Sequence, residues 1–468
     1  MRFLSKGSRI GAVLVLAFIF CFALNVRAGF LYVSTDSTTA NMIYGFSVNE
    51  STGELTLLSG FPMATGFVGG GVTNLEHAVI DQTNKRLYVA NRGSSNVTAY
   101  SINTTTGALT PLPFSPITTV INQRTLKIHP SGSPLIIGAD SFASFVITPT
   151  TATPAPGSPY TLPTGVSPAA SALSPDGTYY YAGGNTGNFF GGYSINASTG
   201  EMTPLAGNPF DTGASNPVPF AIDSTGRLYV NSSRQSVLRL YTLASGIPTQ
   251  VTGSPFSILA IGFASVGVIH PNGNFLLLPN RTQAHVQSIS ISGSGAATTL
   301  AGVTGTPYAT GGTTSQAGLL NQAGTFFFVA NGGSRNITRF SVDAATGALS
   351  NQFVQTANTM GAEGSLSGIA YVSTSAPSVP VVVAGRVARS GGFALSKAVV
   401  TIQGPGGFSR STITSSFGYY RFDDIPTGAS YTVSVSSKMG NFTSQTFDLT
   451  GERLNVNFTG NSGLETKF

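Results

Sequence analysis

The 468-residue chain has one cysteine, four histidines and no tryptophan, and Asp, Glu, Lys and Arg together supply only 9 % of it. Its single cysteine, Cys21, lies in an N-terminal apolar run. The rest of the chain can therefore form no disulfide and offers no thiolate as nucleophile or metal ligand. Without tryptophan the commonest stacking platform for sugars is missing, although 31 Phe and 16 Tyr remain. No Asp-x-Asp-x-Asp-Gly loop marks a calcium site, and no Gly-x-Ser-x-Gly elbow marks a serine hydrolase. The Gly-rich stretch Gly66-Phe-Val-Gly-Gly-Gly71 is not followed by Lys-Ser/Thr, which excludes a phosphate-cradling loop. The charged fraction is far below the roughly 25 % of ordinary globular proteins. Low charge with 57 glycines suits disorder, but the regular apolar alternation described below argues for a folded β protein.

One long apolar run is present. Arg2, Lys6 and Arg9 precede Ile10–Leu24, and Val26-Arg27-Ala28 follows with small residues three before and one before the next bond. This pattern predicts a secretory signal over residues 1–28 and a mature chain starting at Gly29. Fifteen apolar residues are short for a membrane span of about 20, so no transmembrane segment is expected after cleavage. The bulky Phe18-Ile19-Phe20 before Cys21 does not suit a lipoprotein site. Four of the chain's cations leave with this segment, and the formal charge falls from +6 to +2. The high isoelectric point is mostly the signal's, so nothing electrostatic points to nucleic acid. The expected destination is periplasm, cell surface or exterior.

Four segments repeat: Tyr44–Thr56, Thr98–Thr110, Gly191–Thr203 and Thr338–Ser350 each carry an alternating strand, a Thr-Gly turn and a second strand. Glycine supplies the positive φ of such a turn. Upstream strands are anchored at Leu31, Leu87, Leu135, Tyr180, Leu228, Leu276 and Phe327, spaced 45 to 56 residues apart, the length of a four-stranded propeller blade. A further apolar strand precedes six of the seven anchors, as in His77-Ala-Val-Ile80 and Thr125-Leu-Lys-Ile128. The first unit lacks it, and Ser367-Gly-Ile-Ala-Tyr-Val-Ser373 stands unpartnered at the far end. The expectation is an all-β fold: a seven-bladed β-propeller over residues 29–375, closed by that late strand, which leaves no open sheet edge.

Leu87-Tyr-Val-Ala-Asn91, Phe327-Phe-Val-Ala-Asn331, the Thr-Gly-Ala-Leu-Thr turns, Gly207-Asn-Pro-Phe210 and Gly253-Ser-Pro-Phe256 resemble the bacterial lactonase-like seven-bladed propellers named after phosphogluconolactonase. These motifs are strand and turn residues, so the resemblance implies the fold more specifically than the activity.

Residues 376–380 read as a Pro-containing linker. Beyond them alternating strands are expected at Val381–Val387, Ala398–Gln403, Ser409–Thr414, Tyr419–Asp423, Tyr431–Ser436 and Leu454–Phe458, with one more near Thr443–Asp448. Seven short strands in residues 381–460 suggest a C-terminal β-sandwich, followed by a tail at 461–468. Gly385-Arg-Val387, Ala398-Val-Val-Thr-Ile402 and Ser416–Gly428 resemble the carboxypeptidase regulatory-like, transthyretin-like domain, an accessory module of exported proteins. No histidine lies in residues 376–468, which excludes a His-ligated zinc peptidase centre there.

Asp81, His129, Ser174, Asp223, His270 and Asn321 occupy one equivalent position, at the turn that ends each innermost strand, and read as turn caps. The mouth of the channel is the remaining candidate. Glu76, Arg124, Ala169, Val218, Ser265, Gln316 and Gly368 begin the innermost strands, and His77 adjoins Glu76. Glu76, His77, Arg124 and Gln316 are the candidate ligand-binding residues. A lactonase needs a base for water and donors for the oxyanion, roles open to Glu76 and Arg124, but most of the ring is small or neutral. No catalytic or metal-binding residue is assigned and no cofactor is expected. The reading leans to an exported, non-catalytic propeller scaffold that binds a protein, glycan or small polar ligand. The alternatives are a lactone hydrolase acting at the channel mouth and a polysaccharide- or envelope-binding protein.

Overall fold

A computed structural model describes residues 28–71, 76–119, 123–139, 141–213, 216–232, 235–258, 266–355, 364–373, 380–404, 408–427, 429–449 and 451–460. The predicted signal, apart from Ala28, lies outside them. Among the described residues, seven antiparallel sheets of four main strands account for Ala28 to Ser373. Their innermost strands are Leu366–Ser373, Ala78–Asp81, Thr125–Ile128, Ser167–Leu173, Pro217–Ile222, Val268–Ile269 and Ser315–Leu320, here blades 1 to 7. Blade 1 is composite. Its strand Ala28–Thr35 pairs with Met42–Asn49 on one side and with Leu366–Ser373 on the other, in register from Gly29↔Ser373 to Thr35↔Leu366.

Side-chain alternation builds the core between blades, not within them. From one strand, Leu31 and Val33 pack with Phe326 and Phe328 of blade 7, while Phe30 and Tyr32 pack with Leu87 and Val89 of blade 2. Every blade therefore needs both neighbours, and a propeller missing one strand would expose two such layers.

Local sequence explains the repeated turns. Asn49, Asn103, Asn196 and Asp343 end third strands, and their Oδ1 atoms accept the N–H groups two and three residues on. The glycine that follows, at φ 69–73° in all four, donates its N–H back to the same Asn or Asp carbonyl. At Gly107 the requirement is double: an added Cβ would also lie 2.7 Å from the Phe30 ring of blade 1. The Leu-Tyr-Val-Ala-Asn motif has an equally structural basis. Asn91, fully buried, donates to Asn96 and Thr98 and accepts from Asn41 and Thr65. Asn331 repeats this with Asn336, Thr338 and Ser315.

In the Gly-x-Pro-Phe segments and their counterparts in other blades the residue before proline supplies a missing ladder bond. Ser115, Ser158, Asn208, Ser254 and Thr306 accept from the third-strand N–H groups of Ala99, Ser144, Gly192, Leu240 and Ser288 at 2.9–3.1 Å. The fourth strand is thereby split, and its short second half, such as Phe256–Ser257, pairs again with the third.

The C-terminal module has sheets Tyr419–Pro426/Pro380–Ala388/Phe458–Thr459 and Ser409–Ile413/Val399–Gln403/Ala429–Ser436/Gln445–Leu449. Its core is drawn from Val383 to Phe458 alone. The strand expected at Leu454–Phe458 is shorter: only Phe458–Thr459 is regular. The preceding residues bond irregularly along Val382–Ala384, with Asn457 N–H turned back to Asn455, and Leu454 is exposed.

Candidate functional site

An innermost strand pairs on one side only, so the N–H groups along its channel edge lack ladder partners. Glu76 answers this across three blades. Its Oε2 accepts the backbone N–H of Ser171 at 3.1 Å and the Ser171 hydroxyl at 3.0 Å, in blade 4. Its Oε1 forms an ion pair with Lys127 Nζ, from the inner strand of blade 3. Glu76 is buried and Lys127 about one-fifth exposed. The Glu76 carbonyl also accepts from Leu126 N–H at 3.0 Å, which brings the entries of the second and third inner strands side by side.

His77 turns the other way, toward the closing strand. Its Nδ1 lies 3.2 Å from Ser367 Oγ and 3.9 Å from Asp36 Oδ1. Asp36, on blade 1, accepts Gly70 N–H at 2.6 Å. The ring is fully buried and also engages the backbone of Gln123. Burial holds the His77 pKa below the ordinary imidazole value; the Asp36 charge and a hydrogen bond to the Gln123 backbone oppose this, and the Arg92 charge adds to it. His77 is therefore neutral at physiological pH.

Of the four residues expected at the mouth, Glu76, His77 and Arg124 are placed on adjoining strand entries. The Arg124 N–H donates to Gly138 and its side chain is half-buried. Gln316 sits in blade 7, at a break in register between Ser315 and Ala317. Of the other ring positions, Val218 is buried, and Gly368 faces blade 2 so closely that a Cβ would lie 2.6 Å from Ala78 N. Ser265 lies outside the described residues. Elsewhere on this end Arg281, Thr282, Ala284, Thr313 and Thr314 line a shallow depression.

Asp36, Lys127, Ser171 and Ser367 were not singled out in the sequence. Lys127 alone left a signal, as a lone charge inside the short strand Thr125-Leu-Lys-Ile128. The turn positions are as read: Asp81 Oδ1 accepts from Thr83 and Asn84 N–H, Asp223 Oδ1 from Thr225 and Arg227, and His129 and His270 Nδ1 from Ser131 and Asn272.

The family model for the lactonase seven-bladed β-propeller matches residues 23–120 and 243–360. That for the carboxypeptidase regulatory-like domain matches residues 382–460. No curated protein matches the sequence. Among solved structures, the Pseudomonas aeruginosa periplasmic gluconolactonase is 16 % identical, with a TM-score of 0.60, covering 74 % of this chain and 99 % of that one. A proposed 6-phosphogluconolactonase of Bacteroides fragilis is 18 % identical, with a TM-score of 0.59, covering 75 % and 99 %. A protein of unknown function from Desulfotomaculum acetoxidans is 14 % identical, with a TM-score of 0.54, covering 74 % and 99 %. At these identities the likeness establishes the fold. The chain thus joins a lactonase-like seven-bladed propeller to a carboxypeptidase regulatory-like β-sandwich.

Proposed function

We propose that this chain is an exported, non-catalytic binding protein of the bacterial cell surface or periplasm, in which the propeller is the scaffold and the sandwich an accessory docking module. The observation that carries this reading is the engagement of Glu76. Both of its oxygens are taken, by Lys127 and by Ser171, so a proton can be drawn from water only by breaking a buried ion pair. Its geometry is that of a tie between blades 2, 3 and 4. Ligands are expected at the rim, where the Arg281–Thr314 depression offers a cation and hydroxyls.

A second reading, lactone hydrolysis, is favoured by His77. Its Nδ1 faces Asp36 and Ser367, the pairing that orients a general base. Gluconolactonases among the structural neighbours add weight to it. One assay separates the two: gluconolactone and 6-phosphogluconolactone opening by the purified chain, against protein-free buffer because lactones open spontaneously. No rate above buffer is expected. Turnover that disappears in both His77→Gln and Glu76→Gln, with melting unchanged, would replace the binding reading by the hydrolytic one. A base typically contributes about 10²–10⁴-fold, so the loss would be plain.

A further inference from the structure

Seven of the eight large apolar side chains exposed among the described residues belong to the sandwich, and the three on loop tips gather at one end. Phe393 is 75 %, Phe417 72 % and Met439 58 % exposed. They stand on three loops, residues 389–397, 414–418 and 437–442. Strand pairing brings these loops together. Val399 is in register with both Ile413 and Ser436, so the second and third loops leave the same end of the four-stranded sheet as Lys397. The first loop joins them through the other sheet, because Val387 N–H donates to Gly418 and Gly460 N–H to Ala388. A Cβ on Gly460 would touch the Phe442 ring at 3.1 Å.

The tips are held, not loose. Arg386 donates to the carbonyl of Phe417 at 3.3 Å and to that of Gly392 at 3.4 Å, and lies 5.9 Å over the exposed Tyr419 ring. The Phe417 turn closes through Gly418 at φ 80°, where an added Cβ would run into the Val387 carbonyl. The Phe393 turn closes from Gly392 N–H to Arg389.

Charge is segregated in the same sense. The three loops contain Arg389, Lys397 and Lys438, all exposed, and no carboxylate. The module's acids are elsewhere: Asp423 and Asp424 lie toward the far end of the strand that starts at Tyr419, Asp448 is in register with Ser430, and Glu452 precedes Arg453, which bonds Val382 and Ala384. Pro380, where the chain enters the module, is at that far end of its strand too.

We propose that this end of the sandwich docks on an anionic lipid surface, with Phe393, Phe417 and Met439 entering the apolar boundary and Arg389, Lys397 and Lys438 meeting the headgroups. Large apolar tips ringed by cations match the two attractions that hold a protein at such an interface, buried apolar area and anionic headgroups. A soluble anionic glycan would use the cations but give two phenylalanines and a methionine nothing to enter. The inference does not depend on what the channel mouth does.

The test is co-sedimentation of residues 29–468, both folded units without the apolar N-terminal run, with phosphatidylcholine vesicles that contain or lack phosphatidylglycerol. Binding to the anionic vesicles alone is expected, weakening with salt, and falling by more than tenfold in Phe393→Ser/Phe417→Ser. Each of Arg389→Glu, Lys397→Glu and Lys438→Glu should weaken it roughly fivefold or more. These side chains are exposed, so melting should not change and each variant stays interpretable. No vesicle binding by the parent chain overturns the proposal. So does binding that survives loss of both phenylalanines, or a preference for soluble polygalacturonate that competes the vesicles away.

Discussion

His77 is the residue whose chemistry the fold alters most plainly. Burial keeps it neutral, and burial likewise lowers the pKa of His129 and His285. An unfolded chain would protonate all three near pH 6.5, while the folded chain resists until lower pH. Between those values the unfolded state binds more protons, so stability falls as pH falls. The expected slope is up to about 1.4 kcal/mol per pH unit from His77 while it stays neutral, with smaller contributions from the more solvent-screened His129 and His285. Melting temperature measured from pH 7.5 down to 5 should decline below about pH 6.5, and His77→Gln should flatten that decline. A flat profile in the parent chain would mean that the His77 ring is not enclosed as described.

At the scale of an element, the closing strand Leu366–Ser373 concentrates the risk. Leu366, Ala370, Tyr371 and Val372 are all buried. The Tyr371 hydroxyl donates to Glu50 Oε1 at 2.6 Å, while Asn321 of blade 7 donates to Glu50 Oε2 at 2.7 Å. One carboxylate thus ties the end of the third strand of blade 1 to the inner-strand turn of blade 7 and to the closing strand. Deleting residues 366–373 removes several buried side chains worth about 1.5–3 kcal/mol each, which is comparable to a domain's whole margin of roughly 5–15 kcal/mol. The propeller should fail to fold, although the deleted residues lie more than 300 positions from Leu31. A soluble product with an unchanged melting transition would refute the closure. Tyr371→Phe is the graded version: loss of a hydrogen bond to a charged acceptor costs about 1.5–3 kcal/mol, read in a denaturant titration as a lower midpoint with an unchanged slope.

The molecule as a whole is built of two cores. The interblade clusters draw on residues up to Val372, and the sandwich cluster on residues from Val383 onward. Two cooperative units are therefore expected in calorimetry, and the segment 380–460 expressed alone should melt as the sandwich does in the whole chain. A single transition, or an isolated segment that stays unfolded, would show that the sandwich depends on the propeller.

How much was legible beforehand follows from the range of each signal. Strand alternation, the Asn-x-x-Thr-Gly turns and the spacing of the anchors are short-range patterns, set by backbone sterics and by side chains that bond their own turn. They repeat blade after blade, so the sequence alone determined the architecture: seven blades, a missing first inner strand and its replacement from the far end. It also set Glu76, with His77 beside it, and Arg124 on neighbouring inner-strand entries, because equivalent positions of consecutive blades are adjacent around the ring. What the repeat could not show is which partners they take. Lys127 and Ser171 lie 51 and 95 residues from Glu76, and Ser367 lies 290 from His77, at positions that are not equivalent from blade to blade. Only closure of the ring brings those side chains within hydrogen-bond distance. Tertiary structure thereby decided whether the charged mouth is an open site or a buried tie, because a carboxylate's role depends on what fills its two oxygens. In the same way only strand register brings the sandwich loops that carry Phe393, Phe417 and Met439 to one end.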